Sequence, residues 1–235
     1  MREHRKPALA RIRGSGLEIG ALHEPFPIPP GARVTYADAL TPEEAARLFP
    51  EIDASRITRA DRIINLDQDG LGAFAAGSFD FVIISHVIEH VANPIRIVGE
   101  IFRILRPGEC AVIAVPDKRF TFDRPRDLTP FDHLLDDFRN GVTASSDEHY
   151  LDFLGAVAPD ILKCPPGDLA IHVARVRGRR EHCHVWDSAS FRDFLVRSVR
   201  LAGSPARPVY ESSGDENQFE YFGVWELPEP RQLAV

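Results

Sequence analysis

Three carboxylates stand in or just after short apolar runs: Glu18 in LEIG, Asp38 after RVTYA and Asp67 after IINL. An ionised carboxylate offers two acceptor oxygens and no donor, so at a strand tip it suits a vicinal diol or an amino group. A single acid there is more often a turn former or a helix cap, and only the succession of three points to a binding edge. Gly20 beside the first acid gives the backbone freedom to turn. Gln68, next to Asp67, is taken with the same edge.

A second set can move protons. Ser85, His86 and Glu89 follow the apolar run FDFVII, and Asp117 follows CAVIAVP. Imidazole titrates near neutral pH, so His86 is the first candidate for a base acting on a hydroxyl, against the alternative of a helix-start histidine bonded to backbone. His90 lies four residues on and is expected to have a structural role with Glu89. Asp117 is read either as a group that binds or deprotonates a substrate or as a cap. Further along come His133, His149, His172, His182 and His184. His133 is taken as a third catalytic candidate. In EHCHVWD, strand alternation would turn His182 and His184 to one face, toward a substrate, and Cys183 to the other. Spacing gives these two no third ligand, so no metal site is read. Arginine forks suit phosphate or carboxylate. The clusters Lys118, Arg119, Arg124, Arg126 and Arg175, Arg177, Arg179, Arg180 therefore suggest an anionic substrate met by Arg119 and Arg124, with a solvated surface as the plainer reading.

The elements that must hold these groups are legible in the period of the apolar residues. Phe79 to Asp117 reads as an apolar strand, a helix-period run NPIRIVGEIFRILRPG, and a second β-rich run, which together make one βαβ unit. Open sheets of that kind bind ligands at the carboxyl ends of their strands. Further strands are expected at Leu17–Ile19, Arg33–Tyr36, Ile63–Leu66, Pro208–Ser212 and Phe219–Trp225. Helices are expected from Thr41-Pro42, Asn93-Pro94 and Ser188, and a short basic one over 2–13. After Gly20, Pro25, Pro27, Pro29 and Pro30 are too dense for a helix and predict an extended loop. Residues 118–187 switch to short helical pieces with prolines and histidines, read as a helical cap inserted over the carboxyl edge.

With 235 residues the chain is expected to form a single domain over 1–235. Lys and Arg total 28 against 35 Asp and Glu, a net charge of −7, which gives no global attraction to nucleic acid or to an anionic membrane. Cys110, Cys164 and Cys183 have no CxxC spacing, and the N-terminal stretch lacks an apolar core. A reducing, cytoplasmic setting without a membrane span is the expectation. Nothing here fixes an oligomeric state.

The spelling FDFVIIS, HVIEH and RILRPG resembles the class I S-adenosylmethionine methyltransferases, carried by Phe79, Asp80, Val82, Ser85, His86, Val87, Glu89, His90, Arg103, Leu105, Arg106, Pro107 and Gly108. The likeness runs loosely from Leu17 to Trp225. It implies an α/β, Rossmann-like sheet, mostly parallel with an antiparallel C-terminal strand. It also implies S-adenosylmethionine as cofactor and S-adenosylhomocysteine as product. By the same resemblance, Glu18 and Gly20 belong to the glycine turn, Asp38 meets the ribose hydroxyls, Asp67 with Gln68 meets adenine, and Ser85 and His86 line the cofactor. The family's ExGxGxG turn, which leads into a helix, is absent here. The string VPDKRFTFDRPRDLTPFDHLLDD is similar to a subgroup encoded beside glycosyltransferases. That implies methylation of a hydroxyl on a small or glycan-linked acceptor, in surface polysaccharide or sugar modification. The alternative is a methyltransferase-like protein that binds a nucleoside or a partner without turnover.

Overall fold

The computed structural model describes residues 1–229. Seven strands form one sheet: β1 (Ser15–Ile19), β2 (Arg33–Asp38), β3 (Arg62–Ile63), β4 (Phe79–Ser85), β5 (Leu105–Pro116), β6 (Arg207–Ser212) and β7 (Glu220–Glu226), in the spatial order β3-β2-β1-β4-β5-β7-β6. β1 to β5 pair in parallel, and β7 runs antiparallel to both β5 and β6. The helices are α1 (Pro42–Leu48), α2 (Pro94–Ile104), α3 (Phe131–Arg139), α4 (Asp147–Val157), α5 (Pro166–Gly178), α6 (Ser188–Leu201) and α7 (Gly214–Asn217).

Local chemistry explains the boundaries. Thr41 and Glu44 close a reciprocal capping box ahead of Pro42 at the start of α1. Asn93 accepts from the Arg96 amide, with Pro94 at the first helical position of α2, where its missing N–H costs nothing. β3 is shorter than expected, because Asn65 turns away and its amide donates to the Asp69 carboxylate. Residues 2–13 supply a 3-10 helix, Glu3–Ala10, rather than an α-helix, with Pro7 inside it.

Alternation along β4 and β5 divides the core between two faces. Val82, Ile84, Ala111 and Ile113 join Ile95, Val98, Ile101, Phe191, Leu195 and Trp225 beneath α2 and α6. Phe81, Ile83, Val112 and Ala114 face the other way. There no helix follows β1. Residues 20–32 run as turns and extended chain, and Ala8, Ile12 and Phe26 cover the sheet instead.

Residues 118–187 carry α3, α4 and α5 and a small core of their own, formed by Tyr150, Phe153, Leu154, Val173, Val176 and Cys183. This segment is tied to the carboxyl edge of the sheet. The Cys183 and His184 amides both donate to the Glu89 carbonyl, and Arg179 reaches the Leu48 carbonyl and the Glu51 carboxylate. Among the described residues no helix is long and apolar enough to cross a membrane.

Candidate active site

Two cavities open at the carboxyl ends of β1, β2 and β4 and share Gly20, Leu22 and His86 in their walls. The larger, about 810 Å³, is also lined by Arg2, Arg5, Glu18, His23, Arg56, Ser85 and Phe219. The smaller, about 210 Å³, adds Asp38, Leu40, Leu66, Val87, His90 and Arg180.

Gly20 sits at the junction with φ +70°, where a Cβ would lie 2.4 Å from Cγ2 of Val87, so only glycine fits. His86 adopts the left-handed region (φ 57°). Its ring is fixed from two sides, stacked on Phe219 at 5.2 Å and with Nε2 2.7 Å from the Glu220 carboxylate. Glu220 is buried and also takes hydrogen bonds from Arg5 Nε (2.6 Å) and Arg5 Nη2 (2.5 Å), with His4 Nε2 at 2.6 Å. Burial pushes its pKa up, but the His86 and Arg5 hydrogen bonds outweigh that and hold it at about 2. An ionised Glu220 only accepts, so Nε2 of His86 donates to it.

Glu18 is buried at the wall of the larger cavity. Its Oε1 accepts from the Phe26 amide at 2.7 Å, while Oε2 has no protein partner. Burial pushes its pKa up to about 7, against the pull of the Phe26 amide and of Arg5. Asp38 ends β2 in the smaller cavity and accepts from the Leu40 amide at 3.1 Å. Burial raises its pKa above the ordinary carboxylate range. Ser85 and His86 both reach the larger cavity.

Other expected site residues lie elsewhere. Asp67 is outside both walls, its carboxylate accepting from the Ala92 amide at 2.7 Å, with Arg180 3.8 Å away. Gln68 is exposed in the turn after β3. Asp117 is not a free base. Arg119 and Ser188 saturate its oxygens, and these bonds lower its pKa despite the opposing effect of burial. Arg119 is spent on Asp117 and Asp215, and Arg124 is exposed away from the cavities. His133 is likewise outside both walls, with Nε2 3.0 Å from Nε2 of His149.

His182 and His184 do not share a face, because residues 181–187 form no strand. His182 donates from Nδ1 to Asp123 at 2.5 Å, in a knot completed by Arg126, Asp123 and Asp152. Near it lies the fully buried Glu89, whose two oxygens have no hydrogen-bond partner and whose pKa burial raises. His184 turns instead toward His133 and His149.

Glu220 and Arg5 are the residues sequence reasoning missed. The available signal was an acid opening the otherwise apolar run EYFGVWE, but only the register Pro116↔Glu220 brings it beside the tip of β4.

The strand order, with its single antiparallel strand at the C-terminal end, defines the Rossmann-like class I methyltransferase fold. A family model described as a methyltransferase domain matches residues 7–197, and the chain belongs to that family. S-adenosylmethionine is its cofactor. Among solved structures, the chain is similar to the PH0226 protein from Pyrococcus horikoshii OT3, at 16% identity and a TM-score of 0.51, over 96% of this chain and 88% of that one. It is also similar to a putative Zn-dependent alcohol dehydrogenase from Rhodobacter sphaeroides, at 14% identity and a TM-score of 0.50, over 96% and 89%. At such identities these likenesses establish the fold alone. The CurJ carbon methyltransferase matches at 12% identity and a TM-score of 0.46, over 96% of this chain and 51% of that one, so the chain spans about half its length. No curated protein matches the chain.

Proposed function

We propose that the chain transfers a methyl group from S-adenosylmethionine to a hydroxyl of a small or glycan-linked acceptor, with His86 as the base. The observation that carries this reading is the His86–Glu220 pair at the junction of the two cavities.

The residues present suit the cofactor. Gly20 leaves room that a Cβ would fill, Asp38 offers two acceptors for ribose hydroxyls, and Glu18 Oε2 is a buried acceptor in want of a donor, suited to an ammonium group. The usual helix N-terminus is missing as a carboxylate site, and Arg2 and Arg56 in the larger cavity supply positive charge in its stead. Once bound, the sulfonium supplies both the methyl group and its leaving group. The protein has then to orient the acceptor, exclude water and take a proton. Orientation contributes on the order of 7–11 kcal/mol. In this reading Nδ1 of a neutral His86 takes the hydroxyl proton, while Nε2 keeps its own and donates it to the ionised Glu220, which stabilises the imidazolium. An anionic acceptor would meet Arg2, Arg56 and His23 rather than Arg119 and Arg124. The resemblance of VPDKRFTFDRPRDLTPFDHLLDD supports a sugar substrate, and three unpaired cysteines support a reducing, cytoplasmic setting.

Replacement of the first helix favours a second reading, a nucleoside-binding protein without turnover. Incubation with methyl-labelled S-adenosylmethionine and a pool of nucleotide-sugars decides between the two. The enzyme reading expects label in the sugar fraction, falling about 10²–10⁴-fold in His86→Ala with S-adenosylhomocysteine affinity retained. Cofactor binding with no label transferred to any acceptor would leave the second reading.

A further inference from the structure

The geometry points to a zinc-class metal site built by His133, His149 and His184 inside the inserted segment, away from both cavities. The three side chains come from α3, from α4 and from the irregular stretch before α6, and each offers a ring nitrogen within 4.8 Å of the others. Tetrahedral zinc with bonds of about 2.0–2.1 Å needs donor nitrogens roughly 3.3 Å apart. Nε2 of His133 and Nε2 of His149 stand 3.0 Å apart, and a ring nitrogen of His184 lies within 4.8 Å of a nitrogen on each.

Two independent observations favour a ligand over a packing cluster. His184 is 1% exposed, yet neither of its ring nitrogens has a hydrogen-bond partner, although buried polar groups are normally satisfied. Ser146 occupies the N-cap position of α4 but makes no capping bond, and its hydroxyl lies 3.0 Å from Nδ1 of His149. That leaves Nε2 of His149 for a metal, with the far nitrogen held by an outer hydrogen bond, as ligating histidines usually are. The Asp137 carboxylate, 3.3 Å from Nε2 of His133, offers charge balance or a fourth ligand. Imidazole donors with a carboxylate suit zinc better than calcium or magnesium. An ion here would pin three separate pieces of the insert together. It takes no part in the chemistry proposed for His86.

The test uses the full chain without a polyhistidine tag, stripped with chelator, equilibrated with Zn²⁺ and desalted. The expected result is one zinc per chain by mass spectrometry, visible d–d absorption on Co²⁺ substitution, and a thermal transition raised by zinc. His133→Gln, at a side chain 41% exposed, and His149→Gln should each lose the zinc and its thermal effect while keeping the native circular dichroism. Glu89→Gln, in a separate Glu89, His90 and His182 grouping, should retain it. No retained zinc in the unaltered protein, retention unaffected by His133→Gln and His149→Gln, or loss on Glu89→Gln with retention in the histidine variants would overturn the assignment.

Discussion

His86 keeps a backbone conformation that costs a residue with a side chain about 1–3 kcal/mol, and such strain persists only where the surroundings over-determine it. Its surroundings are Phe219, Glu220 and Arg5, which meet at the tip of β4 through contacts distant in sequence. Glu220 also links function to stability. Its folded pKa of about 2 lies below the ordinary value of 4.5. A carboxylate depressed on folding stabilises the protein above the unfolded pKa, and that contribution is lost as pH falls from about 4.5 through about 2. For so buried a group it is on the order of 3 kcal/mol. Acid titration of Glu220→Gln should therefore show less loss of stability between pH 5 and 2 than the unaltered chain; an identical acid transition would contradict the ion pairing. His86 was legible because it follows an apolar run. Glu220 was not, because antiparallel pairing across β5 and β7 lies outside any local period.

The element that sets this sheet apart is the proline-rich loop between β1 and β2. The prolines made its non-helical course legible, since each removes an amide donor and clashes with the preceding turn. What replaces the helix was not legible: Phe26 enters the second core face, and its amide closes on Glu18. Gly20 is the pivot, and Gly20→Ala combines an unfavourable φ with a clash against Val87. Urea denaturation should show it destabilised by about 1–3 kcal/mol, together with weakened S-adenosylhomocysteine binding. Gly167→Ala, which meets open space at the start of α5, should be neutral or slightly stabilising. Equal behaviour of the two variants would remove the steric argument. The run EHCHVWD shows the opposite case. Its alternation suggested a strand, yet residues 181–187 form none, and both the Cys183 and His184 amides bond to one carbonyl, that of Glu89, which a regular ladder does not allow.

At the scale of the whole molecule, the periods of apolar residues announced a βαβ unit of a parallel sheet, and the family match bears out the class. The insert was harder to read. Its arginines look like an anion site in sequence, but Arg119 and Arg126 are consumed by Asp117, Asp123, Asp152 and Asp215. Burial and pairing, invisible in composition, decide which charges remain free. The positive groups that do face the larger cavity come from the chain's first residues and from Arg56. The central claim is that the nucleoside half of the cofactor is held at the tip of β2 although no helix follows β1. Titration calorimetry with S-adenosylhomocysteine tests it most directly. The account predicts one site per chain in the unaltered protein, weakened at least tenfold in Asp38→Ala, a loss of about 1.4 kcal/mol or more. Binding of the same strength in Asp38→Ala, or no binding heat in the unaltered chain, would contradict it.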